Sequence, residues 1–165
     1  MGCHACLSKA SGSLNIDLTN ESEFEIDSDR LSDLFTFLIK ALGIHPNAEL
    51  SVIFVDEEQM TKLHIQWMDE PGATDVLSFP MDEVEPDSFS GDLNDEAPVL
   101  GDLVLCPAFA KRQAEVAGQT LEQELELLST HGVLHLLGYD HAEIDEELAM
   151  FSLQNSLLTQ WRTRS

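Results

Sequence analysis

Three of the six histidines of this 165-residue chain lie close together in the stretch HGVLHLLGYDH at positions 131–141. His131 and His135 are four residues apart, so on a helix their side chains would share one face, with Cβ atoms about 6 Å apart. Gly138 permits a turn that is costly for other residues, and this turn could return His141 to the same ion. Three histidines leave one coordination position open for water, which is typical of catalytic zinc.

Packing and chance are the alternatives to a metal site. A single pair of histidines with this spacing often arises by chance, whereas three histidines with a glycine at the turn are harder to explain by packing. The sequence therefore favours a metal site held by His131, His135 and His141. Asp140, beside the third histidine, is a candidate catalytic residue that could assist the reaction or orient a ligand, but it could equally be a turn or capping aspartate.

The residue after the first histidine indicates which kind of metal site this is. Zinc proteases with the pattern H-E-x-x-H carry a glutamate there, which takes a proton from water. This chain has Gly132, which cannot act as a base. A hydrolase would then rely on the metal to lower the pKa of water, assisted by a neighbouring acid or by a substrate phosphate. Three imidazoles suit zinc, nickel or copper, with availability deciding, so the residues alone leave one Zn²⁺ ion and another divalent transition metal both open.

Hydrophobic patterning predicts the elements that position these residues. Strands are expected at 14–18, 50–55, 76–79 and 99–106. Helices are expected after the capping residues Asp27 and Asp56, from Pro107 to Gly118, from Thr120 to about Leu137, and finally along Ile144, Leu148, Phe151 and Leu158. The mixture predicts a single α+β domain with a mixed sheet of about four strands and about five helices. The metal site would lie on a helix and the turn that follows it.

Composition is that of an ordinary globular chain, with 43% hydrophobic and 24% charged residues. No apolar run is long enough to span a bilayer, and the N-terminus carries no secretory pattern, so a cytoplasmic protein with no membrane partner is expected. Three cysteines do not make a disulfide framework. Residues 1–13, with Cys3 and Cys6, are expected to form a disordered extension, and residues 14–165 the functional domain.

The charge balance is strongly acidic, with 31 Asp and Glu against 8 Lys and Arg and a formal net charge of −23. Such a chain repels a phosphate backbone at long range, so bulk electrostatics disfavour a nucleic-acid partner. The few cations therefore stand out, particularly the adjacent Lys111 and Arg112. The acidic segment 82–97 has the composition of a solvated loop, with binding of a cation or of a basic protein as the alternative.

The histidine stretch resembles the signature of the YbeY family, which are bacterial metal-dependent endoribonucleases of ribosomal-RNA maturation. Three further segments agree in order with that family: TDVLSFP at 74–80, GDLVL at 101–105, and Met150-Phe151. The resemblance covers roughly residues 14–160. Domain 14–165 is therefore expected to be a metallohydrolase of this type.

The resemblance carries functional implications beyond the fold. It implies a zinc-type ion held by His131, His135 and His141, and cleavage of single-stranded RNA. It further implies roles in small-subunit ribosomal-RNA processing and in ribosome quality control. The partners implied are the small ribosomal subunit, one of its proteins and an assembly GTPase, and we expect a monomer.

One departure from the family concerns the phosphate. The family often carries an arginine six residues before the threonine of TDVLSFP, where this chain has Met68. Charge on a phosphate would then need another donor, and Lys62, Lys111 and Arg112 are the candidates for substrate binding, although exposed cations are commonly only solubilising. The missing arginine and the acidic charge together predict little activity on naked RNA. Cys106, which replaces a common serine, is expected to be a small buried residue.

Two other functions stay open. A metallopeptidase or another hydrolase could use the same histidines, although Gly132 argues against a protease. A non-catalytic ribosome-assembly factor could use the metal only to fasten the helix to the turn. For the nuclease, the nucleophile could be water or the 2′-hydroxyl of the substrate.

Overall fold

A computed structural model describes residues 15–45, 47–68, 74–80, 99–139 and 143–164. Within these ranges the strands are β1 (Asn15–Asn20), β2 (Glu49–Phe54), β3 (Val76–Pro80) and β4 (Val99–Leu105). The helices are α1 (Ser28–Ala41), α2 (Glu57–Met68), α3 (Pro107–Ala117), α4 (Leu121–Leu136) and α5 (Ile144–Thr163). The predicted α+β domain with a mixed four-stranded sheet and five helices is confirmed. The predictions for 1–13, the acidic segment 82–97, Asp140 and His141 fall outside the described residues.

The four strands form one sheet in the order β1-β2-β4-β3. β1 pairs in parallel with β2, and β2 with β4, whereas β3 pairs antiparallel to β4. Ser78 of β3 lies opposite Leu103 of β4. Helix α4 packs against both of these strands, so the histidine helix rests on the β3–β4 side of the sheet.

The core lies on both faces of this sheet. Leu103 and Leu105 belong to a large cluster with residues of α1, α4 and α5, including Phe35, whereas Val104 belongs to a second cluster with Met60 of α2. Neighbouring strand residues point to opposite faces, which explains why β4 contributes to both clusters. Helices thus cover both faces of the sheet, and α4 packs directly on β3 and β4.

Local signals define both ends of α4. The Thr120 hydroxyl accepts from the Gln123 backbone N–H at 3.1 Å, and the Gln123 side chain accepts from the Thr120 N–H at 3.0 Å, which completes the predicted capping box. At the other end Gly138 has φ of 101°, as the turn required. Its N–H donates to the His135 carbonyl, and the Tyr139 N–H donates to the Leu134 carbonyl, both at 3.0 Å. The helix therefore stops one residue after His135.

Helix α5 is confirmed, but the apolar stripe that marks its first half in the sequence does not face the core. Ile144 and Leu148 are 75% and 61% exposed, and Phe151 is 37% exposed. The buried face of α5 carries Met150, Gln154, Leu157, Leu158 and Trp161. The buried positions of this helix thus begin at Met150, six residues after Ile144, and of the predicted stripe only Leu158 is buried. No helix in the described ranges has the length and apolar character needed to cross a membrane.

Candidate metal centre and its groove

His131 and His135 come together on the partly buried face of α4. Their Nε2 atoms are 3.0 Å apart, and the two rings meet edge to face with centroids separated by 4.5 Å. The four-residue spacing produces this arrangement, because residues one turn apart point the same way along a helix.

The other ring nitrogens are held by groups that accept hydrogen bonds. Nδ1 of His131 lies 2.8 Å from the amide oxygen of Gln154, and Nδ1 of His135 lies 3.0 Å from the carbonyl oxygen of Tyr139. Because an oxygen of this kind only accepts, each Nδ1 must carry the proton and donate it. In a neutral ring, Nε2 then presents a lone pair. Two Nε2 atoms 3.0 Å apart, each on a ring whose Nδ1 faces an oxygen acceptor, have the arrangement of two imidazoles that bind one metal ion.

A complete ligand set is not contained in the described part of the chain. Among those residues no group of three His, Cys, Asp or Glu side chains could hold an ion. The predicted third ligand, His141, and its neighbour Asp140 lie outside that part. The metal centre therefore stays a prediction, with two of its three ligands brought together.

Gly132 has a packing role that its position in the motif did not reveal. It is buried, and a Cβ there would lie 2.7 Å from Cδ2 of Leu103 and 3.4 Å from Oγ of Ser78. The Ser78 hydroxyl donates to the Gly132 carbonyl at 3.2 Å. Glycine thus allows α4 to approach β3 and β4 closely, and any larger side chain at this position would require the buried Leu103 side chain to shift. Gly132 therefore contributes to the packing of α4 on the sheet as well as lacking a base.

A groove of about 720 Å³ opens beside the histidines. It lies between α3, α4 and α5, and His131 is among its lining residues. Other members of the lining are Asp75, Phe109, Arg112, Phe151 and Gln154. The groove therefore has the volume of a typical ligand site and contains charged, aromatic and amide side chains beside the candidate metal centre.

Of the three predicted substrate-binding cations, Arg112 lines this groove and the two lysines do not. Its guanidinium forms a two-pronged ion pair with Glu57 on α2, with Nη1 donating to Oε1 at 3.1 Å. This hydrogen bond lowers the pKa of the Glu57 carboxyl below its ordinary value of 4.5. Lys111 instead places its ammonium 6.0 Å from the Phe24 ring, and Lys62 is exposed on α2. The Met68 side chain lies outside what the structure describes.

Several groups at the groove were not predicted as site residues. Asp75 and Phe151 carried a signal, because both lie in segments that match the family pattern. Gln154 carried none, since its role depends on where α5 crosses α4.

Cys106 is buried as expected, and burial raises the pKa of its thiol.

Comparisons with known proteins cover nearly the whole chain. The model of the family described as endoribonuclease YbeY matches residues 16–162. A protein of Thermobifida fusca named endoribonuclease YbeY is 56% identical over 149 residues, which cover 90% of this chain and 95% of that protein. A protein of the same name from Acidothermus cellulolyticus is 54% identical over 151 residues, which cover 90% and 92% of the two chains. A solution structure of a Thermotoga maritima protein matches with a TM-score of 0.60 at 29% identity, covering 90% of this chain and 92% of its own.

Proposed function

The chain belongs to the YbeY family of endoribonucleases, and on this premise we propose that it cleaves single-stranded RNA with the help of one zinc ion. The observation that carries the proposal is the convergence of the His131 and His135 Nε2 atoms, 3.0 Å apart, with both Nδ1 atoms engaged by oxygen acceptors. This arrangement supports an ion held by two nitrogens from one helix, with His141 as the third ligand.

Each residue at this centre has a distinct part in the proposal. His131 and His135 would hold the ion, while Gln154 and the Tyr139 carbonyl keep the protons of the two rings on Nδ1. When bound, the ion supplies Lewis-acid stabilisation of the charge that develops on the scissile phosphate. Asp140 is proposed to orient a ligand or to move a proton, as its place beside His141 suggests.

Arg112 is proposed as the phosphate contact that replaces the family arginine missing at Met68. A guanidinium has five N–H donors, and the pair with Glu57 uses two of them. The remaining donors can reach a non-bridging phosphate oxygen while Glu57 keeps the side chain oriented along the groove. Lys111 and Lys62 are less suited to this contact because neither lines the groove.

The physiological substrate is proposed to be ribosomal RNA of the small subunit, in processing and in quality control. The family resemblance supports this choice, and so does the charge of the chain. A net charge of −23 favours basic partners over bare phosphate backbones, and ribosomal proteins are such partners. We therefore propose a monomer that works with the small subunit, one of its proteins and an assembly GTPase, and that cleaves naked RNA only weakly.

The test pairs elemental analysis with RNA cleavage for the parent and for His135→Ala. We expect about one zinc per parent chain, and in the variant a loss of zinc together with a fall in cleavage of at least about a hundredfold. His64→Ala is the matched control, because it removes a histidine of α2 that does not line the groove. It should keep both zinc and cleavage. Substrates should include short single strands and small-subunit particles with unprocessed RNA.

Three outcomes would contradict the proposal in different ways. Undiminished cleavage in His135→Ala would mean that the histidines do not form the active site. Zinc without any hydrolysis in the parent, combined with unfolding of His131→Ala, would favour a non-catalytic assembly factor with a structural ion. Peptidase activity that disappears in His135→Ala would favour another hydrolase. The product ends identify the nucleophile, because attack by the 2′-hydroxyl leaves a 2′,3′-cyclic phosphate and attack by water does not.

A further inference from the structure

The first half of α5 carries an apolar stripe that faces solvent. Ile144, Leu148 and Phe151 recur at intervals of four and three residues, so they share one face of the helix. The last of them reaches the candidate metal centre. The Phe151 ring lies 6.2 Å from the His131 ring, measured between centroids, with 24° between the planes. The partly exposed Phe151 ring therefore lies at the edge of the groove, stacked beside a proposed metal ligand.

Charge limits the ways in which this groove can hold RNA. The chain has a net charge of −23, Arg112 is already paired with Glu57, and Asp75 and Glu124 also line the groove. Release of counterions from phosphate, which supplies most non-specific affinity for nucleic acids, can therefore contribute little here. Beyond the proposed Arg112 contact and the proposed ion, affinity must therefore come from contacts that do not depend on charge. Stacking of a base on an aromatic ring is such a contact.

We propose that Phe151 is a base-stacking platform for a nucleotide next to the scissile phosphate, and that this contact determines the preference for single strands. The inference rests on the proposed endoribonuclease function. In a duplex each base is already stacked and paired, so the ring could reach a base face only after unpairing, whereas a single strand offers its bases directly.

RNA is favoured over a protein as the occupant because of where the ring lies. Phe151 is part of the groove lining together with His131, whereas Ile144 and Leu148 are not among the described lining residues. A helix of a protein partner would instead need all three apolar side chains, since helices dock through several positions on one face. Replacing Leu148 should therefore weaken the binding of a protein helix but not the binding of RNA.

Binding of a fluorescent 2′-O-methyl single-stranded oligonucleotide, followed by anisotropy over a range of salt concentrations, tests the proposal. Phe151→Leu removes the aromatic face but keeps an apolar side chain, and should weaken binding about tenfold without changing the salt dependence. Phe151→Tyr should bind like the parent. Arg112→Gln should behave differently: the negative slope of log K against log salt should become less steep by about 0.7, because one phosphate contact is lost.

An abasic oligonucleotide locates the stacked base. For the parent, one abasic position should weaken binding about tenfold, and the same lesion should have no further effect on Phe151→Leu. Leu148→Ala is the matched control and should bind like the parent. Zinc content, measured for every variant, should be unchanged in Phe151→Leu, which excludes an indirect effect through His131.

Several results would overturn the stacking role. Parent-like binding by Phe151→Leu would do so, and so would an equal loss in Leu148→Ala, which would indicate an apolar surface for a protein helix. If the parent cleaves RNA and Phe151→Leu retains the same ratio of single-strand to duplex cleavage, stacking is wrong and the nuclease function stands. If the parent neither binds nor cleaves RNA, both are wrong.

Discussion

Gln154 positions His131 without belonging to the predicted ligand set. Its buried amide oxygen accepts from Nδ1 of His131 at 2.8 Å, which directs the Nε2 lone pair toward His135. Gln154→Met keeps the volume but removes the acceptor, so we expect zinc affinity to fall by about ten- to a hundredfold. Competition with a coloured chelator measures this affinity without relying on activity.

Two further variants separate positioning from general packing. Gln154→Glu keeps an oxygen acceptor and should bind zinc with nearly the parent affinity. Asn155→Met introduces the same side chain at an exposed position of α5 and should have no effect. An unchanged zinc affinity in Gln154→Met would show that His131 needs no partner at Nδ1.

Individual residues were predictable from sequence where their chemistry is local. The spacing of His131 and His135 correctly predicted that both side chains converge, since a helix brings residues four apart together. Gly132 was interpreted only as a missing base, because its contact with Leu103 joins two segments distant in sequence. Gln154 escaped prediction for the same reason. Residues that act through long-range contacts leave little trace in a single sequence.

At the scale of elements, Glu126 ties three helices together. This buried carboxylate of α4 is 2% exposed, and it accepts from Nε of Arg30 on α1 at 2.7 Å and from Nη2 of Arg162 on α5 at 2.9 Å. Glu126→Gln keeps the shape but removes the charge that compensates both arginines. We expect a loss of about 2–3 kcal/mol in the free energy of unfolding, less than for a fully buried pair because both arginines stay partly exposed.

Urea denaturation of Glu126→Gln measures that loss. Glu122→Gln makes the same change at an exposed position of α4 and should alter stability by less than about 0.5 kcal/mol. Equal urea midpoints for the two variants would mean that the ion pairs of Glu126 with Arg30 and Arg162 add nothing to the free energy of unfolding.

The sequence predicted where helices begin, but it did not predict which strands pair or which face of a helix packs against the core. Asp27 and Thr120 cap α1 and α4 as expected, because a cap depends on residues three positions away. The strand order β1-β2-β4-β3 depends on pairing between distant segments, so the pattern of each strand did not reveal it. The face on which α5 packs was likewise hidden. Ile144 and Leu148 are apolar but exposed, because the helix contacts the core through its other side.

At the scale of the whole molecule, acidic repulsion acts on stability as well as on binding. Thirty-one acidic residues oppose eight basic ones, and the basic residues in ion pairs, such as Arg30 and Arg162 with Glu126, act over short distances. Repulsion among the remaining carboxylates acts over longer distances, so salt screens it first.

We therefore expect the folded state to become more stable as salt is added. Raising NaCl from about 0.01 M to about 0.15 M shortens the screening length from about 30 Å to about 8 Å. Relief of repulsion worth about 1 kcal/mol would raise the Tm by about 2–4 °C in a chain of this size. Thermal unfolding should be followed with EDTA present, so that metal occupancy does not vary, and repeated in choline chloride to exclude specific sodium binding. A Tm that falls over this range would mean that the ion pairs around residues such as Glu126 outweigh the repulsion, and that the acidic charge does not limit stability.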